Sequence, residues 1–251
     1  MKALILAAGY ATRLYPLTKE YPKPLLSVAG RPIIDYIIDK LARISDIDEI
    51  VVVTNSKFIS KFRKWSRSVA CGKRLSLVDD LTKSHSDRRG AIGDLHFAVG
   101  KKRLKSDLLV IGGDNLFDGG LEDFLSFARG SHPSPVIGAY DIRSRSKATR
   151  YGVIRISASG RVVAFQEKPR KPKSSLVAMC LYYFPKAKLG LVKEYFDSKR
   201  GKNDATGFYI DWLRRREEVY AFVFRGRWYD IGQHKFYQEA NRQFLKKGES
   251  A

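Results

Sequence analysis

Three short apolar runs constrain this chain more than any other feature: KALIL at 2–6, EIVVVT at 49–54 and DLLVIGG at 107–113. Each is short, rich in leucine or β-branched residues, and without the polar alternation of a strand that has one wet face. Each therefore reads as a strand buried on both sides. After the first run, Ile33, Ile34, Ile37, Ile38, Leu41 and Ile44 recur at helical spacing; a basic helix over 57–67 and a strand, RLSLV at 74–78, come later. Strands that alternate with helices join through crossovers. The pattern predicts an α/β fold, a Rossmann-like three-layer α/β/α domain with a mostly parallel central sheet.

Beyond residue 135 the rhythm changes. VIGAYDI, YGVIRI, RVVAFQEK and VAMCLYYF read as strands, with short links such as Ser157-Ala158-Ser159-Gly160, so an antiparallel or mixed portion extends the sheet. PKAKLGLVKEYFDSK and FYIDWLRRR predict helices, EVYAFVFRG a further strand, and Gln233 to Lys247 a terminal helix. Neither a repeat nor a low-complexity segment interrupts the 251 residues, and a single domain over 1–251 is expected.

Composition limits the function classes. No apolar run approaches the roughly 20 residues of a membrane span, and no signal-peptide pattern opens the chain, so a soluble, cytoplasmic protein is expected. Cys71 and Cys180 stand alone, and His85, His96, His132 and His234 lack metal-ligand spacing. The excess of 47 Lys plus Arg over 26 Asp plus Glu gives a net charge of +21. That balance suits polyanionic partners such as nucleotides or nucleic acid. The basic residues are scattered in pairs and triplets, however, so a solvated basic surface is the stronger reading, and nucleic acid is a secondary expectation.

The stretch LILAAGYATRLYPLTKEYPKPLL at 4–26 carries the chemistry. A loop leaving the first parallel strand sits where such sheets bind ligands. Ala7, Ala8 and Gly9 are small enough for backbone N–H groups to approach phosphate oxygens, with Leu6, Ala8 and Gly9 the candidate nucleotide contacts; Arg13 offers a forked cation, and Lys23 is held between Pro22 and Pro24. The spacing matches neither the dinucleotide glycine pattern nor the Walker loop. On spacing alone, a glycine turn with incidental bases remains an alternative.

This stretch resembles the first signature of the sugar-1-phosphate nucleotidyltransferases. Gly112-Gly113-Asp114-Asn115 resembles their second, YGVIRI with VVAFQEKP the third, and RWYDIG at 227–232 the fourth, in family order over most of the chain. The likeness is greatest to the glucose-1-phosphate thymidylyltransferase and uridylyltransferase branch. It implies a nucleotide-binding half over about 1–134 and a sugar-phosphate-binding half over about 135–251, with no room for the C-terminal β-helix of acyltransferase-fused relatives. The implied reaction condenses a nucleoside triphosphate, dTTP or UTP favoured, with a sugar 1-phosphate, glucose 1-phosphate favoured, by Mg²⁺-assisted in-line displacement of pyrophosphate.

The resemblance also assigns roles. Arg13 and Lys23 neutralise the triphosphate, Lys168 holds the sugar phosphate, and Asn115, Gly152 and Glu167 face the sugar. Asp114 and Asp230 hold Mg²⁺, a hard ion that prefers one or two carboxylates plus phosphate oxygens. Asp80 and Gly90 fall at the nucleobase, where a carboxylate can accept the N3–H of thymine or uracil or the N–H groups of guanine.

Alternatives stay open from the residues alone: a turn cap for Asp114, an ordinary salt bridge for Asp230, a surface acid for Glu167, a helix N-terminal acid for Asp94, and either a lid or a solvated loop for LTKSHSDRR at 81–89. The family commonly shows glycine where Ala11 stands, so a positive φ there would carry strain. Asp204 and Asp211 lie where relatives carry an acid near the sugar, with no firm assignment. A cytidylyltransferase with a non-sugar phosphate acceptor, and a non-catalytic regulatory or RNA-binding member of the fold, are the rival readings. A homo-oligomer is left open.

Overall fold

The structure is a computed structural model that describes residues 1–198, 205–232 and 234–248, apart from the side chains of Asp230 and residues 246–248. Asp204 and the start of the expected terminal helix at Gln233 lie outside the described residues. In chain order the strands are β1 (Lys2–Leu6), β2 (Ser27–Val28), β3 (Arg31–Pro32), β4 (Glu49–Thr54), β5 (Arg74–Asp79), β6 (Leu108–Gly112), β7 (Asn115–Phe117), β8 (Val136–Asp141), β9 (Gly152–Ile156), β10 (Val162–Glu167), β11 (Leu176–Phe184), β12 (Tyr220–Phe224) and β13 (Trp228–Asp230). The helices are α1 (Ile33–Ala42), α2 (Ile59–Ser66), α3 (Gly90–Lys101), α4 (Glu122–Gly130), α5 (Arg145–Ala148), α6 (Gly190–Ser198), α7 (Thr206–Leu213) and α8 (His234–Gly248).

The three apolar runs lie side by side. β4 and β6 flank β1 in parallel, β5 extends the parallel block beyond β4, and β11 joins β6 antiparallel. β8, β9, β10 and β12 complete a nine-stranded sheet, with β9 and β10 forming the expected hairpin. Alternate residues of the central strands face opposite layers, as the period of two requires. Ala3, Ile5, Ile50, Val52, Leu109 and Ile111 pack with α1, α2 and α4. Leu4, Val51, Val53, Leu108 and Val110 pack with α3, α6 and α7. Full burial of each such leucine, isoleucine or valine side chain contributes about 1.5–3 kcal/mol, which holds the two helical layers to the sheet.

The expected helix from Pro185 divides into a 3₁₀ turn, Lys186–Lys188, and α6. Two features give no periodic signal. One is the two-stranded ribbon in which β13 pairs antiparallel with β7, setting Asp230 opposite Asn115 and Trp228 opposite Phe117. The other is an irregularity in β11 between Ala178 and Tyr182, where Cys180 adopts a φ of 53°. No helix among the described residues is long and apolar enough to cross a membrane.

The chain runs from β1 through β4 to β5, then returns to place β6 on the other side of β1. The connections leaving β1 and β6 therefore run toward opposite edges of the sheet, and the region at the carboxyl ends of these two strands is where an open α/β sheet receives ligand.

Candidate active site

The loop after β1 is tied down on both sides. Ala7 N–H donates to Val53 O at 2.8 Å, the Asn55 side-chain amide donates to Ala8 O at 2.8 Å, and Gly113 N–H donates to Leu6 O at 2.8 Å. A Cβ on Gly113 would lie 3.0 Å from Leu6 O and 3.2 Å from Pro24 Cγ, so glycine is what lets the β6 loop close on the β1 loop. Gly9 has open space where its side chain would be, leaving its backbone approachable.

Ala11 has φ 45° and ψ 44°, the left-handed conformation that the departure from glycine put in question. Its carbonyl accepts from Leu14 N–H at 2.9 Å and from the Thr18 hydroxyl at 2.8 Å, which holds the strained residue in place. Ala11→Gly is expected to raise stability by about 0.5–1 kcal/mol, because the left-handed region costs an L-residue about 1–2 kcal/mol and glycine returns part of that as lost unfolded-chain entropy. Thermal unfolding checks this: a variant melting at or below the parent temperature would show that the strain is negligible.

Lys23 opens a 3₁₀ turn between Pro22 and Pro24 and is 8% exposed. Its Nζ donates to Asp114 Oδ2 at 2.5 Å, from the residue two beyond β6. Burial opposes ionisation of the Asp114 carboxyl. The charge and hydrogen bond of Lys23, together with a backbone N–H and the Arg13 guanidinium, outweigh it and hold the group below the ordinary carboxylate range. The Asp114 side chain still exposes 43% of its surface, so it remains reachable beside its cation. Arg13 is exposed and has no salt bridge among the described residues. Leu6, Gly9, Arg13, Lys23 and Asp114 share one cavity of about 220 Å³.

Asn115 is buried between the two halves: its amide N–H₂ donates to Met179 O, and its carbonyl accepts from Trp228 Nε1 at 2.6 Å. The backbone of Asp230 lies beside it in the ribbon, while the Asp230 side chain lies outside the described residues. Gly152 and Glu167 face each other across β9 and β10. The Glu167 carboxylate is 11% exposed, bonded at 3.1 Å to Lys168 Nζ, which is itself 58% exposed. Lys168 takes a φ of 45°, with its N–H on Tyr151 O at 3.0 Å. A Cβ on Gly207 would fall 2.0 Å from Glu167 Oε2, so a glycine at the start of α7 makes the space that carboxylate fills.

Sequence reasoning passed over Cys180 and Gly207. Burial and the neighbouring Asp114 push the Cys180 thiol up to about 12, with Glu167 adding to the effect. The thiol also packs against the end of β6, where a Cβ on Gly112 would lie 3.2 Å from Cys180 Sγ, so the two halves meet at this point. Nothing in the residue type announces this role, because it arises from the local irregularity in β11.

The candidate nucleobase residue Asp80 sits in a buried hydrogen-bonded cluster. Asp80 is 1% exposed, and its carboxylate accepts from Thr82 N–H at 2.7 Å and from the Thr82 hydroxyl at 2.8 Å. The Thr82 hydroxyl also meets Tyr10 of the β1 loop at 3.1 Å. Asp94, 6% exposed, lies within α3 and not in its first turn; it shares a hydrogen bond with Asp80. Gly90 opens α3 with φ 73°, a conformation that suits glycine. In the 81–89 loop, the N–H groups of Lys83 and Ser84 donate to Asp87, whose carboxyl they lower to about 2.

Comparison with known proteins places this geometry in context. The family model described as nucleotidyl transferase matches residues 2–247. The chain is 30% identical over 247 residues to the bifunctional protein GlmU of Methanocaldococcus jannaschii, covering 98% of this chain and 55% of that protein. It is also 30% identical to the glucose-1-phosphate thymidylyltransferase of Streptomyces antibioticus, over 98% of this chain and 67% of that one. A Bacillus anthracis protein provisionally assigned as a glucose-1-phosphate thymidylyltransferase, crystallised with sucrose, superimposes with a TM-score of 0.85 at 24% identity, covering 98% of this chain and 95% of that chain. The chain spans about half the length of the first curated relatives it matches.

Proposed function

The chain belongs to the nucleotidyl transferase family, and on that premise we propose that it condenses a nucleoside triphosphate, dTTP or UTP, with a sugar 1-phosphate, glucose 1-phosphate, to give an NDP-sugar and pyrophosphate. The observation that carries this reading is the convergence of Arg13, Lys23 and Asp114 on one cavity at the carboxyl ends of β1 and β6. Two anions must be brought together there against their repulsion, so fixed positive charge is the first need. Lys23 meets it at low entropic cost, since its proline-flanked turn and Asp114 already hold it in place.

In this reading residues 1–134 bind the nucleotide and residues 135–251 the sugar phosphate. Arg13 and Lys23 neutralise the triphosphate and stabilise departing pyrophosphate. Lys168, exposed at the end of the β9–β10 hairpin, binds the incoming sugar phosphate, and Glu167 accepts hydrogen bonds from sugar hydroxyls. No general base is required, because a phosphate dianion is already a nucleophile.

The donor set at Asp114 fits a hard divalent cation: an oxygen ligand held ionised by its surroundings. Asp114, with Asp230 brought alongside by the ribbon backbone, would hold Mg²⁺, which supplies charge neutralisation across the phosphates. The described residues contain no group of three or more potential ligands, and one or two carboxylates suffice for this ion.

A panel of five nucleoside triphosphates against several sugar 1-phosphates, followed by pyrophosphate release with and without Mg²⁺, tests the proposal. Metal-dependent release with dTTP or UTP and glucose 1-phosphate is the expected result. Release confined to CTP with a non-sugar phosphate would replace it with the cytidylyltransferase reading.

A further inference from the structure

We propose that Asp94 is a positioning residue for the loop after β1: through Asp80 and Thr82 it fixes Tyr10, and with Tyr10 the backbone between Gly9 and Arg13. What this loop binds rests on the transferase reading; what holds it does not.

Four buried polar side chains, Tyr10, Thr82, Asp80 and Asp94, meet beside the loop from three segments of the chain. The number of protons available sets the direction of their hydrogen bonds. The Asp80 carboxylate accepts from Thr82 N–H at 2.7 Å and from the Thr82 hydroxyl at 2.8 Å, which uses the one hydrogen of that hydroxyl. Tyr10, 3.1 Å from the same oxygen, is therefore the donor to it. Asp94 meets Asp80 in a hydrogen bond between two carboxyl groups, so a proton has to lie between them. Asp80 is already the acceptor for Thr82, which leaves Asp94 as the donor. The result is a directed chain, Tyr10 to Thr82 to Asp80, closed from the far side by Asp94.

The second Asp94 oxygen points the same way. Oδ1 is buried and has no hydrogen-bond partner among the described residues, which a neutral carboxyl tolerates far better than a carboxylate does. Burial and the neighbouring Asp80 push the group up to about 8. Above that pH two like charges share one buried site, and their repulsion displaces the carboxylate that orients Thr82 and Tyr10.

Tyr10 is the point at which the chain reaches the site. It lies between Gly9 and Ala11, both of which line the Arg13–Asp114 cavity, and Ala11 keeps a left-handed backbone that its surroundings have to enforce. The Tyr10 ring lies 6.2 Å from Phe58 and 6.2 Å, edge-on, from His85. Of the other charged groups, Arg89 Nε donates to Asp80 O at 2.6 Å and the Asp87 charge acts on Tyr10. Toward α6, His96 stacks on Phe196, with Lys193 and Asp197 acting on it. β1, β4 and α7 bring apolar side chains to the layer of α3, Leu4, Val51, Val53 and Ile210 among them.

Hydrogen exchange of the unliganded protein at pH 6.5 and pH 9, parent against Asp94→Asn, tests the coupling. Asparagine keeps an N–H donor for Asp80 and has no proton to lose, and comparison at equal pH cancels the intrinsic pH dependence of exchange. Amides of residues 8–14 are expected to exchange alike in both proteins at pH 6.5 and about five-fold faster in the parent at pH 9. Tyr10→Phe cuts the last link and is expected to abolish the difference between aspartate and asparagine at position 94, whereas His85→Gln is expected to leave it. Faster exchange confined to α3 and the end of β5 would make Asp94 a structural acid only and overturn the proposal. Identical exchange at both pH values, or a response lost in His85→Gln, would also overturn it. In the presence of Mg²⁺, the parent-to-variant ratio of dissociation constants for dTTP or UTP is expected to rise about five-fold between the same pH values, and a constant ratio counts against the proposal. Failure of both nucleotides to bind either protein would end the transferase reading, and the exchange data alone would then decide the role of Asp94.

Discussion

Asp114→Asn is expected to lower NDP-sugar formation by about 10²–10³-fold while the protein stays folded. The substitution keeps the shape of the side chain and removes the one negative charge from a cavity whose other charged lining groups, Lys23 and Arg13, are both positive. Two consequences follow from the 2.5 Å contact with Lys23. The lysine loses the partner that fixes its Nζ, and the oxygen donor proposed for the metal becomes an amide that binds a hard cation poorly. The second effect has its own readout, because the Mg²⁺ concentration giving half-maximal rate should rise along with the fall in turnover. Pyrophosphate release measured over a magnesium series, beside a melting curve, separates the roles. A purely structural salt bridge would shift melting and leave the magnesium dependence untouched. Turnover near that of the parent protein would end the metal assignment altogether.

The parts of this site that could be read from sequence are those in which residue type is itself the chemistry. Small residues after a buried strand, an arginine and a proline-flanked lysine have few other uses in combination, and the structure gathers Leu6, Gly9, Arg13 and Lys23 around Asp114. The parallel block was legible for a related reason: doubly buried strands cannot hide their hydrophobic continuity. The β7–β13 ribbon was not, because strands of three residues are too short for any period to register. Yet that ribbon brings the backbone of Asp230 beside Asn115 and the Trp228 indole N–H onto the Asn115 side chain.

Asp80 illustrates a different limit. Its type and position fit a group that reads a base, but its surroundings come from three segments, Tyr10, Thr82 and Asp94, which only the folded chain unites. The left-handed backbones at Cys180 and Lys168 are likewise conformations imposed by neighbours, and neither residue type favours them.

The stability of the protein should fall between pH 5 and pH 8, and Asp94→Asn should abolish most of that fall. Burial, reinforced by the charge and hydrogen bond of Asp80, pushes the Asp94 carboxyl up to about 8, against only a weak opposing pull from Arg89. Asp80 is raised as well, chiefly by its own burial, so the two acids share one proton across a hydrogen bond. In the unfolded chain Asp94 loses its proton near pH 4, whereas in the folded protein it keeps it to about 8. Through that window the folded state binds the extra proton, and each pH unit costs up to about 1.4 kcal/mol of stability. Over three units the loss is about 2–4 kcal/mol, spread across the coupled pair. Acids lowered below their ordinary range, Asp114 among them, act in the opposite sense at lower pH. Glu49, whose burial is outweighed by Lys102, Ser76 and Lys2, is lowered to about 2, and Asp87 is lowered to about 2 by the Lys83 and Ser84 contacts. Their stabilisation is lost below about pH 4.5, outside the window compared. An asparagine at 94 keeps a donor for the Asp80 carboxylate and has no proton to lose. Its melting temperature should therefore stay nearly level from pH 5 to pH 8 and exceed that of the parent at pH 8 by about 5–10 °C. Parallel melting curves for parent and variant across this range would show that Asp94 ionises normally and that the buried pair holds no proton.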